Sequence, residues 1–146
     1  MRAVAAVWGA ALLVGVSSCS DLSLEPAALR ITTPIANPSF RNDIAPVLAA
    51  SCASSGACHA GPTPQQSLNL EADVARSELV NVPSQFAPSM MLVRPGLPDS
   101  SFMFRMLSTD AAYRFNRPRM PLTRYPLPAP VVETIRNWIV NGAADN

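Results

Sequence analysis

Two of the three cysteines and the single histidine of this 146-residue chain fall within one short stretch, Cys52-Ala53-Ser54-Ser55-Gly56-Ala57-Cys58-His59. Any fold has to be organised around that stretch, because thiols and imidazoles are the side chains that staple a small domain or hold a metal or prosthetic group. A helical pattern runs straight into it. Phe40, Ile44, Val47 and Leu48 recur at i, i+4, i+7 and i+8, which predicts an amphipathic helix ending at Cys52. Pro46 is compatible with that helix only if the helix starts near Asn42 or Asp43, since a first-turn N–H has no intrahelical partner to lose.

The compartment decides what the cysteines can become. Arg2 followed by the uncharged apolar run Ala3 to Val16 reads as a secretory leader. It is shorter than the roughly 20 apolar residues of a membrane-spanning helix. Val16-Ser17-Ser18-Cys19 resembles a bacterial lipobox. That resemblance implies a signal peptide over residues 1–18 and a lipid on Cys19, hence an exported, membrane-anchored lipoprotein facing the periplasm or cell surface. The alternative is ordinary cleavage near Ser18, which leaves Cys19 as a free or disulfide-bonded thiol. In an oxidising envelope Cys52 and Cys58 are expected as thioethers or half-cystines.

Residues 19–39, rich in Ser, Ala and Pro, read as a flexible tether, and residues 40–146 as one small domain. Three further helices are expected. One runs from Leu70 to Leu79. A second is short, follows a cap at Asp99-Ser100-Ser101, and reaches about Leu107. The last carries the stripe Val131, Ile135, Trp138 and Ile139, with Pro130 in its first turn and Gly142 at its end. Ser108 to Pro128 is a long irregular stretch, of the kind a compact domain keeps when it binds something.

A cysteine followed directly by histidine, with a second cysteine upstream, is the arrangement that attaches a c-type haem. The thiols form thioethers with the vinyl groups, and the imidazole ligates the iron. The usual spacing is C-x-x-C-H, whereas here five residues separate the cysteines. The small residues Ser54, Ser55 and Gly56 would have to bulge out for both sulfurs to reach; attachment through Cys58 alone is the other possibility. Such an iron needs a sixth ligand or an open face. Met120, in Arg119-Met120-Pro121, is the candidate, because a thioether is a soft donor that favours ferrous iron. Core packing is the ordinary role of a methionine and is expected for Met103 and Met106.

A helix ends in the cysteines; Pro95-Gly96 and a Ser-rich helix start follow, then a Met-Pro loop, then a helix with Trp138-Ile139 and Gly142-Ala143. From Phe40 to Ala144 this order resembles the single-haem cytochrome c domains of bacterial envelope proteins. The resemblance implies an all-α, cytochrome c-like fold of about four short helices with long loops, the first and last helices packed together. It implies one covalent haem c, with thioethers at Cys52 and Cys58, His59 as proximal ligand and Met120 as distal ligand. The function it implies is electron transfer to or from a redox protein partner in the envelope.

A cofactor-free lipoprotein stapled by a Cys52–Cys58 disulfide is the competing reading. Structural zinc wants four Cys or His ligands, and blue copper wants two histidines. With one histidine there is no second imidazole for general-base work, and no phosphate loop appears, so no enzyme and no small-molecule substrate is expected. Of the eleven basic residues, all arginine, Arg2 lies in the leader, leaving ten against ten acids. The near-neutral balance gives no reason to expect nucleic acid. Arg114, Arg117, Arg119 and Arg124 form a local basic cluster, open to haem propionates, to an acidic partner, or to solvent.

Overall fold

The computed structural model describes residues 26–123 and 126–146. Cys19, the leader and Arg124 lie outside the described residues. Within them the chain is helical with few strands. Its helices are α1 (Ala45–Ser51), α2 (Ala75–Leu79), α3 (Phe102–Met106) and α4 (Ala129–Val140), joined by turns and isolated β-bridges. None of the described helices is long and apolar enough to cross a membrane.

Helix α4 forms where its stripe predicts. Pro130 occupies the first turn, and Val131, Ile135, Trp138 and Ile139 are all buried. Its end is a Schellman closure: Gly142 N–H donates to Ile139 O and Ala143 N–H to Trp138 O. Gly142 takes φ 93°, a conformation that costs glycine little. Trp138 Nε1–H donates to Ala144 O at 3.0 Å, so the indole is buried with its donor satisfied.

Ahead of α1 the chain winds a π-turn over Phe40–Ile44, and Ala45 N–H donates back to Phe40 O. Ser39 caps it: its hydroxyl accepts from Asn42 N–H, while Asp43 accepts from Ser39 N–H at 2.7 Å. The helical stretch therefore begins at Phe40, earlier than the Asn42–Asp43 start the proline suggests. The wide turn loosens the helix just ahead of Pro46, where a tight i−4 carbonyl would meet the ring. Phe40 and Trp138 lie 5.3 Å apart between ring centroids, tilted by 36°. A pair of this kind adds about 0.5–1.5 kcal/mol beyond its buried area. The first and last helical segments thus pack on each other around Ile44, Val47, Leu48 and Ile135.

Two helices are shorter or start differently than their sequences suggest. Only Ala75–Leu79 of the Leu70–Leu79 stretch is α-helical. Asn69 diverts the preceding backbone, its side-chain oxygen accepting from Glu71 N–H at 2.9 Å. Helix α3 has no side-chain cap. Ser101 is instead fully buried, accepting from Arg94 N–H at 2.8 Å and donating to Leu97 O at 2.9 Å. The hydroxyl ties the Pro95-Gly96 turn to the helix.

The described part of the segment expected to be a tether is docked on the domain. Ala28, Leu29 and Ile31 pack against the core. Ile35 N–H donates to Thr134 Oγ1 at 3.1 Å, and Asn137 Nδ2 donates to Ile35 O at 2.9 Å. Ser/Pro-rich composition hid this contact because its polar partners are side chains of α4, about a hundred residues away in the chain.

Candidate functional site

The sequence-predicted site residues Cys52, Cys58 and His59 form one closed loop at the end of α1. Cys52 caps the C-terminal end of α1, its N–H donating to Leu48 O at 2.8 Å. Cys58 N–H then donates to Ser55 O at 3.0 Å, and His59 N–H donates to Cys52 O at 3.1 Å. The long spacer is thereby folded back, bringing the Cys58-His59 pair beside Cys52. Ser54, Ser55, Gly56 and Ala57 are exposed, the bulge that their small size allows.

Among the described residues, the hydrogen-bond partners of His59 are all backbone groups. Its carbonyl accepts from Leu70 N–H at 2.8 Å. Its Nδ1 lies 3.1 Å from Gln65 O. A carbonyl can only accept, so Nδ1 carries a proton, and in the neutral ring Nε2 then carries the lone pair. That is the tautomer an Nε2 metal ligand requires, and the carbonyl contact is the usual orienting partner of such a ligand. Gln65 is itself tied back, its N–H donating to Cys58 O at 2.9 Å. The sequence contains no signal for Gln65, because its contribution is a backbone oxygen that any residue could supply.

Both thiols are free. Burial pushes the Cys52 thiol up to about 12, with the nearby Cys58 adding to the rise. The Cys52 thiol is therefore neutral at physiological pH. Cys58 Sγ accepts from the Ser55 hydroxyl at 3.4 Å.

Met120 reaches the domain from another direction. Its N–H donates to Met106 O at 2.8 Å, and its side chain packs against the core that also takes Cys52 and Ala53. The Met120–Pro121 peptide is cis. Next to it, Arg119 Nε is buried with no hydrogen-bond partner among the described residues, and so is the hydroxyl of Ser51, next to Cys52. A buried donor left unpaired costs about 1–3 kcal/mol, more when charged, so Arg119 marks a place where an anionic acceptor would be stabilising.

Two other arginines of the basic cluster, Arg114 and Arg117, have structural employment. Arg117 lies over the Phe86 ring at 3.9 Å. Arg114 donates from Nη1 to Ser108 O at 2.8 Å and from Nε to Arg117 O at 3.0 Å.

Among the described residues no three His, Cys, Asp or Glu side chains converge to hold a metal ion. A haem iron would ask this set for His59 alone. An open cavity of about 440 Å³ lies away from the cysteines, lined by Asn81, Met90, Arg94, Asp99 and Arg105 among others, and touches neither His59 nor Met120. Compared with known proteins, the chain finds no match: no family model fits it, and no curated protein or solved structure is similar to it.

Proposed function

We propose that this chain is a haem-binding electron-transfer lipoprotein of the cell envelope, with a small cytochrome c-like fold. One haem c is bound through thioethers at Cys52 and Cys58, with His59 and Met120 as the axial ligands. The observation that carries the reading is the closure of the cysteine loop. His59 N–H on Cys52 O, at 3.1 Å, folds the five-residue spacer back so that Cys58 and His59 return beside Cys52. The bond from His59 Nδ1 to Gln65 O fixes the ring and leaves Nε2 available.

The residues suit the group. His59 offers nitrogen, Cys52 and Cys58 offer free thiols, and the orphaned Arg119 Nε offers a charged donor for a propionate. When bound, haem supplies one-electron exchange at iron, with a thioether ligand favouring the ferrous form. The chain's own part is to hold the imidazole in one tautomer, to keep the Met120 loop against α3, and to exclude water with the Phe40–Trp138 core. A lipid on Cys19 would keep the domain at the membrane, where its partner is another envelope redox protein. Stable anchoring there takes more than a single acyl chain.

The test is the mass and colour of protein made in cells competent for haem attachment. A one-haem mass increment that survives denaturation is expected. An unmodified mass with a Cys52–Cys58 disulfide would replace this reading with that of a stapled structural module. In haem-loaded protein, Met120→Ala should remove the far-red sulfur-to-iron charge-transfer band of the oxidised form and open the iron of the reduced form to carbon monoxide. Met103→Leu should do neither.

A further inference from the structure

The stretch from Ser108 to Arg117 is fastened to α3 by rings and guanidinium groups. Phe102, buried on α3, stacks with Phe86 at 6.4 Å and 24° and with Phe115 at 6.1 Å and 10°. Arg117 covers Phe86 at 3.9 Å, while Arg105 lies over Phe115 at 4.9 Å and over Tyr113 at 4.5 Å. Arg105 is itself oriented by Asp99, whose carbonyl accepts from its Nε at 3.0 Å, and the Asp99 carboxylate accepts from Tyr113 OH at 2.6 Å.

Two features set these contacts apart from incidental packing. Phe86 and Phe115 stay 45% and 44% exposed, so hydrophobic burial alone does not explain them. Phe115 and Asn116 also hold φ of 57° and 56°, the left-handed region that side chains with a Cβ disfavour. Surrounding contacts must over-determine a conformation of that kind. Here they are the ring stack, the bond from Asn116 N–H to Ala111 O at 2.7 Å, and the two bonds of Arg114.

We infer that the contact chain Arg117–Phe86–Phe102–Phe115–Arg105 is the device that positions Met120. The inference rests on the reading of Met120 as the sixth ligand. Chain connectivity supplies the mechanism. Arg117 is anchored three residues before Met120, and Met120 N–H is bonded to Met106 O at the end of α3. The loop therefore leaves α3, is clamped to it through Phe102 and Arg105, and returns to it at Met106. Helix α3 is in turn fixed by Phe102 N–H on Met91 O and Met103 N–H on Leu92 O, each 2.9 Å. With the clamp in place, Met120 has one register on α3. Without it, the bond to Met106 and the core contact of the Met120 side chain close a long loop by themselves, against the loop's conformational entropy. Phe115 and Arg117 touch neither the sulfur nor the iron in this scheme and act as positioning residues.

The experiment uses the full chain with Phe115→Leu and, as the milder variant, Arg117→Gln. In haem-free protein, amide hydrogen exchange at Met120 should quicken by roughly tenfold in Phe115→Leu, the size expected for loss of one ring contact, and by less in Arg117→Gln. Amides of Trp138 and Ile139 in α4 should exchange as in the parent, which establishes that the variants fold. In haem-loaded protein the charge-transfer band should vanish at a lower temperature in both variants. Faster exchange at Asn116 with Met120 unchanged would mean the rings hold only their own loop, and would overturn the inference. So would variants whose band melts as the parent's does. A parent chain that carries haem but shows no such band overturns the ligand reading and the positioning role together.

Discussion

The two loops that present the proposed ligands are held in opposite ways. Around His59 the fastening is almost entirely main chain: His59 N–H on Cys52 O, Gln65 N–H on Cys58 O, Leu70 N–H on His59 O. Around Met120 it is mostly side chain, through Phe86, Phe102, Phe115 and the guanidiniums of Arg105, Arg114 and Arg117. Main-chain bonds are indifferent to residue type, so the first loop should tolerate substitution everywhere except at the residues that do chemistry. The second loop should be sensitive at residues that do none. For the proposed redox site, a proximal loop held by main chain and a distal loop adjustable by mutation would be a workable division, because axial-ligand identity is one lever on potential.

The largest expected effect lies at the chemistry of the first loop. Cys58 is tied to His59 by one peptide bond, whereas Cys52 depends on the folded spacer. Cys58→Ala should abolish stable haem attachment, while Cys52→Ala leaves some singly attached haem, both read by mass spectrometry after denaturation. Equal, complete loss in the two would show that the loop acts as a strict two-cysteine site.

Next in size is a change beneath both loops. Ile135 is 1% exposed in the core that α4 shares with the Phe40 turn, and Ile135→Ala should destabilise the haem-free domain by about 2–5 kcal/mol in denaturant unfolding. Hydrogen exchange should then quicken at both His59 and Met120. A loss confined to one loop would mean that the two do not share a foundation.

A smaller effect follows from the Cys52 thiol. Its folded-state value of about 12 stands above the ordinary 9.0, so the folded domain retains a proton that the unfolded chain releases. The associated stability is complete below pH 9 and falls as pH rises from 9 toward 12, by up to about 1.4 kcal/mol per unit. Cys52→Ala, or conversion of the thiol to a thioether, should flatten that decline. A parent protein equally stable across this range would show that the thiol is not shielded in solution.

The smallest effect sharpens the contrast most. Gln65→Ala leaves the carbonyl that orients His59 in place, and should change stability by no more than about 0.5 kcal/mol. It should leave haem attachment unaltered. A large loss would show that the glutamine side chain, rather than its backbone, serves the proximal loop.

Some of this was legible in the sequence and some was not, for reasons that differ by element. Helix α4 was readable in full, because a long apolar stripe with proline at one end and glycine at the other leaves little freedom. The Leu70–Leu79 helix was overestimated because Asn69 competes for the backbone through a local bond that hydrophobic spacing does not register. The site residues Cys52, Cys58 and His59 stood out by chemistry, being rare side chains close together. Arg119 was one of four equivalent arginines in the sequence, and only the folded chain separates it, by a buried Nε without a partner among the described residues, from Arg117, which spends its guanidinium on Phe86.

What the sequence determined by itself is therefore what depends on near neighbours in the chain: the stripe of α4, its Schellman end, and the small residues that let the Cys52–Cys58 spacer bulge. Tertiary structure alone decided that residues before Phe40 dock on α4, that Gln65 O meets His59 Nδ1, and that three phenylalanines from separate segments stack into one clamp. The physical reason is the same in each case. These contacts join groups distant in sequence, through backbone carbonyls that carry no residue code or through rings whose partners only the folded chain selects.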